Sequence, residues 1–193
     1  IFYSNIMIKI LLVGCGHMGS ALLYSWNRKT PFNFSVIDPN NYQHLKKNYS
    51  KKISIYKSFQ EINNIRKFNI IIFAVKPQIA KKVVCQFNFL FNKKILFISI
   101  IAGKKINFFE KNLCHSNQII RVMPNMPALV EKGMTCLFSN RKTSKKNKII
   151  ADDLFKSVGK TIWLKKESDL DKVTAISGSG PAYYFLFIEY LIT

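Results

Sequence analysis

KILLVGCGHMGS, residues 9–20, runs from an apolar strand pattern through a glycine turn into a helical pattern. Ile10, Leu11, Leu12 and Val13 form the short unbroken apolar run of a parallel strand covered on both faces. Gly14, Gly16 and Gly19 then fall on the G-x-G-x-x-G spacing. The first glycine permits a tight turn, the second lets a pyrophosphate approach bare backbone, and the third lets the new helix pack closely on the strand. Free N–H groups and the positive dipole end at the helix start would hold the phosphates. Met18, Ala21, Leu22, Tyr24, Ser25 and Trp26 carry the amphipathic period of that helix. A second strand pattern, Phe34 to Ile37, ends at Asp38, roughly 20 residues past the last glycine, where the fingerprint places an acidic residue for a ribose. These residues predict a dinucleotide site over Gly14, Cys15, Gly16, His17, Met18 and Gly19, with Asp38 at the ribose and Asn40 and Asn41 where a ribose or its 2′-phosphate would lie. A glycine turn chosen for packing alone is the competing reading.

Asp38 argues for NAD(H), because a carboxylate repels a 2′-phosphate. The Asn and Lys residues just after it argue for NADP(H), so both cofactors stay open.

At 193 residues, 48% of them hydrophobic, the chain holds one ordinary domain plus a smaller element. The formal charge of +20 would ordinarily point to nucleic acid or an acidic membrane. Here Lys is spread along the whole chain together with heavy use of Asn, Ile and Phe, which is a composition bias and not a basic patch. No zinc-finger spacing and no arginine-rich arm is present, so no nucleic-acid partner is expected. Cys15, Cys85, Cys114 and Cys136 are widely spaced with no C-x-x-C pair, the usage of a reduced, cytoplasmic chain. No apolar stretch reaches the roughly 20 residues of a membrane helix, and no membrane association is expected. Residues Ile1 to Ile6 precede Met7 and read as an extension without structure.

Past Asp38, Asn40 to Lys52 reads as a loop and short helix, and Ile53 to Tyr56 as a short third strand. Ser58-x-x-Glu61 has the pattern of a capping box opening a helix. Asn69 to Val75 is a second strong buried strand that ends in Lys76-Pro77, where proline forces the chain out of the sheet. Ligands of open α/β sheets bind beyond the carboxyl ends of strands, so Ala74, Val75, Lys76 and Pro77 are expected at the cofactor crevice. Lys76 reads equally as a cofactor contact or a solvated surface lysine. Gln78 to Phe91 is expected to be helical. Lys94 to Ile101 is a further strand, ended by Ala102-Gly103 at the same edge, and Ile106 to Asn112 is a helix.

Gln118 to Val122 runs into Met123-Pro124-Asn125-Met126-Pro127, where two prolines stiffen a loop. Asn125 offers a donor and an acceptor there, either for a ligand or for its own turn. Gly133 to Phe138 is a strand, Arg141 to Lys148 a basic loop or helix start, and Ile149 to Ser157 an amphipathic helix closed by Gly159 as its cap. Thr161 to Leu164 is an edge strand. The alternation predicts an α/β fold, a Rossmann-like, doubly wound, mostly parallel sheet over residues 7–164.

Residues 165–193 differ. An acidic stretch, Glu167 to Val173, precedes Ser177-Gly178-Ser179-Gly180-Pro181. Pro181 suits the first position of a helix, and the glycines would leave N–H groups bare as an anion pocket for a carboxylate. The helix Ala182 to Thr193 is apolar all round, which requires a cover that no other part of this chain supplies.

GCGHMGSAL, FAVKPQ, ISIIAG, IIRVMPNMPALVEKGMT and KVTAISGSGPAYYFLFIE together resemble the Δ1-pyrroline-5-carboxylate reductase family, in that family's order and spacing over residues 7–193. His17 stands where the family more often has Asn. The resemblance implies hydride transfer from NADPH or NADH to the imine of 1-pyrroline-5-carboxylate, giving L-proline, with no catalytic metal. It implies that Ala74–Pro77 and Ala102-Gly103 line the nicotinamide side and that Asn125 lies near the reacting ring. It further implies that Ser177, Gly178, Ser179 and Gly180 open the substrate pocket, with Glu167 beside it. Residues 165–193 would begin an all-α dimerisation domain, making a homo-oligomer of the full-length protein. A later Ser-Pro-Gly-Gly-Thr loop of the family lies beyond Thr193. The chain therefore reads as a C-terminally truncated member expected to bind dinucleotide but to reduce pyrroline-5-carboxylate poorly or not at all, with a bare helix prone to association. Two other readings compete: a catalytically impaired dinucleotide-binding remnant, and another nicotinamide dehydrogenase of the β-hydroxyacid type.

Overall fold

A computed structural model describes residues 7–49, 52–90, 95–113 and 117–192, and the side chains of 178 and 179 are not among what it describes. The readings placed on residues 1–6, on Phe91, on Lys94, on Cys114 and on Thr193 lie outside the described residues.

Eight strands make one sheet: β1 (Lys9–Val13), β2 (Asn33–Ile37), β3 (Ser54–Tyr56), β4 (Ile70–Phe73), β5 (Leu96–Ser99), β6 (Gln118–Met123), β7 (Gly133–Ser139) and β8 (Gly159–Trp163). Their spatial order is β3-β2-β1-β4-β5-β6-β7-β8. Every neighbouring pair is parallel except β6 with β7. The chain winds outward from β1 through β2 to β3, then returns to place β4 on the other side of β1. That reversal opens a crevice past the carboxyl ends of β1 and β4.

The unbroken apolar runs follow from burial on both faces. Ile10 and Leu12 enter one core with Leu22, Trp26 and Phe34, while Leu11 and Val13 enter the opposite core with Phe73, Phe87 and Phe97. Aromatic rings fix both layers. Trp26, in α1 (His17–Lys29), stacks on Phe34 at 5.9 Å and meets Phe155 edge-on at 5.4 Å. Phe73 stacks on Phe97 at 6.0 Å and meets Phe87 edge-on at 5.3 Å. Such ring pairs add specificity to the area they bury.

The remaining helices are α2 (Tyr42–Tyr49), α3 (Ala80–Val84), α4 (Ile106–Asn112), α5 (Lys145–Lys156), α6 (Ser168–Val173) and α7 (Gly180–Ile192). Several expectations need correction. The helix expected from Gln78 is only one turn and a half of α-helix, continued by a 3₁₀ turn at Cys85–Phe87. No side chain caps it, because the position before it is Ile79. The capping box at Ser58 does not form: Ser58 makes no cap bond, and Glu61 instead accepts from the Lys57 N–H at 2.8 Å around a single 3₁₀ turn. Of the two readings of Arg141 to Lys148, the helix start holds from Lys145, where Ser144 Oγ accepts from the Asn147 N–H at 3.2 Å and supplies the N-cap. Gly159 is not its cap. It is the first residue of β8, with φ +146°, and a Cβ there would lie 2.0 Å from the Gly133 carbonyl oxygen.

The largest correction concerns Pro181. It does not open a helix. From α6 the chain passes through a π-helical turn at Thr174–Ser179 directly into α7. Proline lacks an N–H and its ring crowds the carbonyl four residues back, here Ser177, and a widened turn accommodates both. Thr174 Oγ1 donates to the Leu170 carbonyl at 2.7 Å and Ser177 Oγ to the Val173 carbonyl at 2.9 Å, back-bonds that favour bending at this point. The Ser177–Gly180 N–H groups therefore sit within continuous helix and form no bare anion pocket. The apolar α7 lies open, with Phe185 71% and Tyr190 74% exposed. No described helix is long and apolar enough to cross a membrane.

Candidate functional site

A cavity of about 640 Å³ lies past the carboxyl ends of β1, β2 and β4. It brings together Gly14, Cys15, Gly16, Asp38, Asn40, Ala74, Val75 and Lys76 from the expected set. The glycines divide their tasks as the spacing implies. Gly14 has φ +90°, and a Cβ there would meet Val75 Cγ1 at 2.7 Å and the Ala74 carbonyl at 2.8 Å. A Cβ on Gly16 would meet nothing within 4 Å, so the space beside it is open. A Cβ on Gly19 would come within 3.0 Å of the Gly14 carbonyl, so its absence lets α1 close onto the turn. Gly16 is the N-cap of α1, no side chain caps that end, and no acidic residue stands in the first turn. Exposed N–H groups with the positive end of the helix dipole thus face open space, a fit for a pyrophosphate. His17 beside them is exposed.

Asp38 is 6% exposed at the floor of this cavity. Its Oδ1 accepts from the Asn40 and Asn41 N–H groups, each at 2.9 Å. Its Oδ2 accepts from the Cys15 N–H at 2.6 Å and from Asn41 Nδ2 at 3.1 Å. Asn41 Nδ2 also reaches the Cys15 carbonyl at 3.2 Å. The Cys15 thiol is pushed up to about 12, first by burial and then by the charge of Asp38. It is a protonated packing group at neutral pH and not a nucleophile.

Ala74 continues the ladder by donating its N–H to the Val13 carbonyl at 2.8 Å, and the Ile100 N–H reaches the Phe73 carbonyl at 3.0 Å. These bonds hold the ends of β1, β4 and β5 side by side. Pro77 follows Lys76 out of the sheet. Gly103, after Ala102, takes φ +70° with no neighbour in the space of a Cβ. Ala102, Gly103, Asn125, Glu167 and Ser177–Gly180 do not line the cavity. The Asn125 Oδ1 accepts from the Met134 N–H at 2.9 Å, so its acceptor end braces the loop. Glu167 Oε1 accepts from the Arg121 guanidinium at 2.8 Å and caps α4 through the Ile106 N–H at 2.7 Å.

Arg121 is the residue that sequence reasoning passed over. Arg121 was legible as the one charge inside the apolar run QIIRVM, since a buried charge must find a partner. The acidic stretch from Glu167 to Asp171 was the place to look for it. Asn41, expected beside Asn40 at the ribose, lines the cavity and holds the Asp38 carboxylate and the Cys15 carbonyl.

The family model described as NADP oxidoreductase, coenzyme F420-dependent, matches residues 9–103, and the pyrroline-5-carboxylate reductase dimerisation model matches residues 167–193. Pyrroline-5-carboxylate reductase of Pasteurella multocida is 34% identical over 185 residues, covering 94% of this chain and 67% of that protein. The chain belongs to the pyrroline-5-carboxylate reductase family. The family's Haemophilus influenzae protein is 33% identical over 93% of this chain, and the chain spans 66% of that protein's length. Among solved pyrroline-5-carboxylate reductases, the Plasmodium falciparum enzyme with NADP bound superimposes with a TM-score of 0.81 at 36% identity. That match covers 96% of this chain and 68% of the other. Prephenate dehydrogenase of Aquifex aeolicus, at 17% identity and a TM-score of 0.73, shares the fold.

Proposed function

We propose that this protein is an NAD(P)H-dependent reductase that converts 1-pyrroline-5-carboxylate to L-proline. The observation that carries the reading is the open space at Gly16, before an uncapped α1, at the switch point of the sheet of a chain in this family. When bound, the dinucleotide supplies the hydride that reduces the imine carbon. The chain's own residues bind and orient. Gly14, Gly16 and Gly19 set the pyrophosphate on the α1 N–H groups, and His17 and Met18 flank it. Asn40 borders the adenosine end. Ala74, Val75, Lys76 and Pro77, with Ala102 and Gly103, line the nicotinamide side.

Asn125 keeps its acceptor end on the Met134 N–H, which turns its amide nitrogen into the donor available to a ligand. Ser177–Gly180 form one wall of the substrate pocket, and their π-helical turn is of the kind that recurs at functional sites. Glu167 serves as a positioning residue, tying the helix that carries this turn to Arg121 in the sheet. No step calls for a metal or for a cysteine nucleophile.

Residues 7–164 form the dinucleotide-binding part and residues 165–193 the start of the dimerisation part. The apolar exposure of α7 and its match to the dimerisation model support a homo-oligomer in which a second copy covers that helix. Unpaired thiols at Cys15, Cys85 and Cys136 support a reducing, cytoplasmic setting. The NADP bound to the Plasmodium falciparum relative supports a nicotinamide dinucleotide as the cofactor. Incubation with NADPH and 1-pyrroline-5-carboxylate, followed by amino-acid analysis, is expected to yield L-proline. NADPH left unconsumed alongside intact pyrroline-5-carboxylate would count against the reading.

A further inference from the structure

Among the described residues, Glu131 is the only one other than glycine with positive φ, at φ 60° and ψ 20°. Side chains are disfavoured in this left-handed conformation, where glycine or asparagine is usual. The glutamate brings a carboxylate that crosses to α1. Its Oε1 accepts from Ser25 Oγ at 3.2 Å, and its Oε2 pairs with Lys29 Nζ one helical turn further on. Ser25 is fully buried on the α1 face that carries Leu22 and Trp26. A buried hydroxyl needs a partner, and this one finds it 106 residues away. We infer that Glu131 is a positioning residue for the reduction, fixing the Asn125 loop against the helix whose first turn faces the dinucleotide. The inference rests on the reductase reading and deepens it.

The loop between β6 and β7 is stiff in itself. Its 3₁₀ turn, Met126–Val130, holds Pro127 at its start. The Ala128 N–H reaches the Asn125 carbonyl at 3.0 Å, the Glu131 N–H the Ala128 carbonyl at 3.1 Å, and the Lys132 N–H the Pro127 carbonyl at 3.0 Å. The Met134 N–H closes it on Asn125 Oδ1, and a Cβ on Gly133 would lie 2.9 Å from Ala128 Cβ. Such a loop moves as one piece. Toward α1 it offers two things: Ala128, fully buried in the core that holds Leu22 and Trp26, and the Glu131 carboxylate. Apolar contact has no direction, so Ala128 sets only how close the loop lies. The two bonds of Glu131, to groups one turn apart on α1, set its angle. Lys29 is 40% exposed, so the ion pair adds little stability, and what it contributes is direction. Dinucleotide on α1 and donor on Asn125 thus share one frame, as hydride transfer between two bound partners requires.

Glu131→Gly separates positioning from stability, because it removes the carboxylate and at the same time relieves the left-handed backbone. Its melting temperature is expected to stay within about 4 °C of the wild type. Amide exchange at Met134, whose N–H the loop holds through Asn125, is expected to rise at least about fivefold. The kcat/KM for 1-pyrroline-5-carboxylate is expected to fall at least about fivefold, with NADPH affinity kept within about twofold. Reversing the pair, Glu131→Lys with Lys29→Glu, restores the contact with the charges exchanged. The double variant is expected to exceed either single reversal in kcat/KM by at least about threefold.

A lower melting temperature in Glu131→Gly, with Met134 exchange and kcat/KM unchanged, would make Glu131 a stabilising contact only and overturn the inference. So would a parallel loss of NADPH affinity, which would place the effect at the dinucleotide, or a double reversal no better than the single ones. A wild type that forms no proline would instead overturn the reductase reading on which the inference rests. Exchange at Met134 would still show in that case whether Glu131 holds the loop.

Discussion

Glu167 holds the guanidinium of Arg121 at 2.8 Å, across 46 residues of sequence, and with the same oxygen caps α4 through the Ile106 N–H. Arg121 is 2% exposed, and its second partner, Asp171, stands at a longer 3.5 Å. This contact joins the start of α6 to β6, an interior strand of the sheet, and to α4. Glu167→Gln keeps one acceptor and the cap but leaves Arg121 without its nearest charge. Glu167→Ala removes both. Stranding one member of a buried pair costs about 3 kcal/mol or more, reduced here because Glu167 is itself partly exposed. Urea unfolding should therefore show a loss of about 1–3 kcal/mol for Glu167→Ala and a smaller one for Glu167→Gln. Two unchanged midpoints would mean that Asp171 alone holds the guanidinium.

The glycines predict opposite outcomes for the same change. Gly16→Ala adds a methyl group to open space at φ −72°, so folding stability should move by less than about 1 kcal/mol. Dinucleotide affinity should fall by about tenfold or more, since the methyl group takes the space expected for the pyrophosphate. Gly159→Ala forces a Cβ into the Gly133 backbone at a φ that L residues rarely adopt, and should cost at least about 2 kcal/mol without touching the cavity. Thermal unfolding and cofactor titration on both variants separate the two effects.

The buried Cys15 thiol gives stability a pH dependence of known sign. An unfolded thiol releases its proton near 9.0, whereas in the folded chain burial and the neighbouring Asp38 push that release up to about 12. Above pH 9 the unfolded state binds fewer protons than the folded one, so the contribution present below that pH is lost as pH rises toward 12. The unfolding free energy of the wild type should fall more steeply between pH 9 and 11 than that of Cys15→Ala, compared in the same buffers. Identical slopes would contradict the burial of this thiol.

The parts of this fold that were readable in the sequence are those fixed by burial on both faces. Runs such as ILLV and IIIF, short, β-branched and bounded by turn residues, suit strands covered on both faces, and the turn at Gly14 needs a residue that tolerates positive φ. The rest depends on partners distant along the chain. Asp38 was readable as an acid after β2, but whether it faces a ligand or the chain is decided by Asn41 and by the N–H of Cys15. Pro181 looked like a helix start because proline ordinarily begins helices. Only the π-turn and the back-bonds of Thr174 and Ser177 let the helix run through it. Gly159 looked like a cap because it follows an amphipathic stretch, whereas its lack of a side chain serves the close approach of β8 to Gly133.

The central claim, reduction of 1-pyrroline-5-carboxylate by a nicotinamide hydride, is tested most directly by isotope transfer. The protein is incubated with NADPH deuterated at the nicotinamide C4 position and with 1-pyrroline-5-carboxylate, and the proline formed is examined by mass spectrometry. L-proline carrying one deuterium on the methylene ring carbon next to nitrogen, the former imine carbon, is expected at whatever rate it forms. Proline free of label, or bound NADPH that never passes deuterium to the pyrroline, would contradict it.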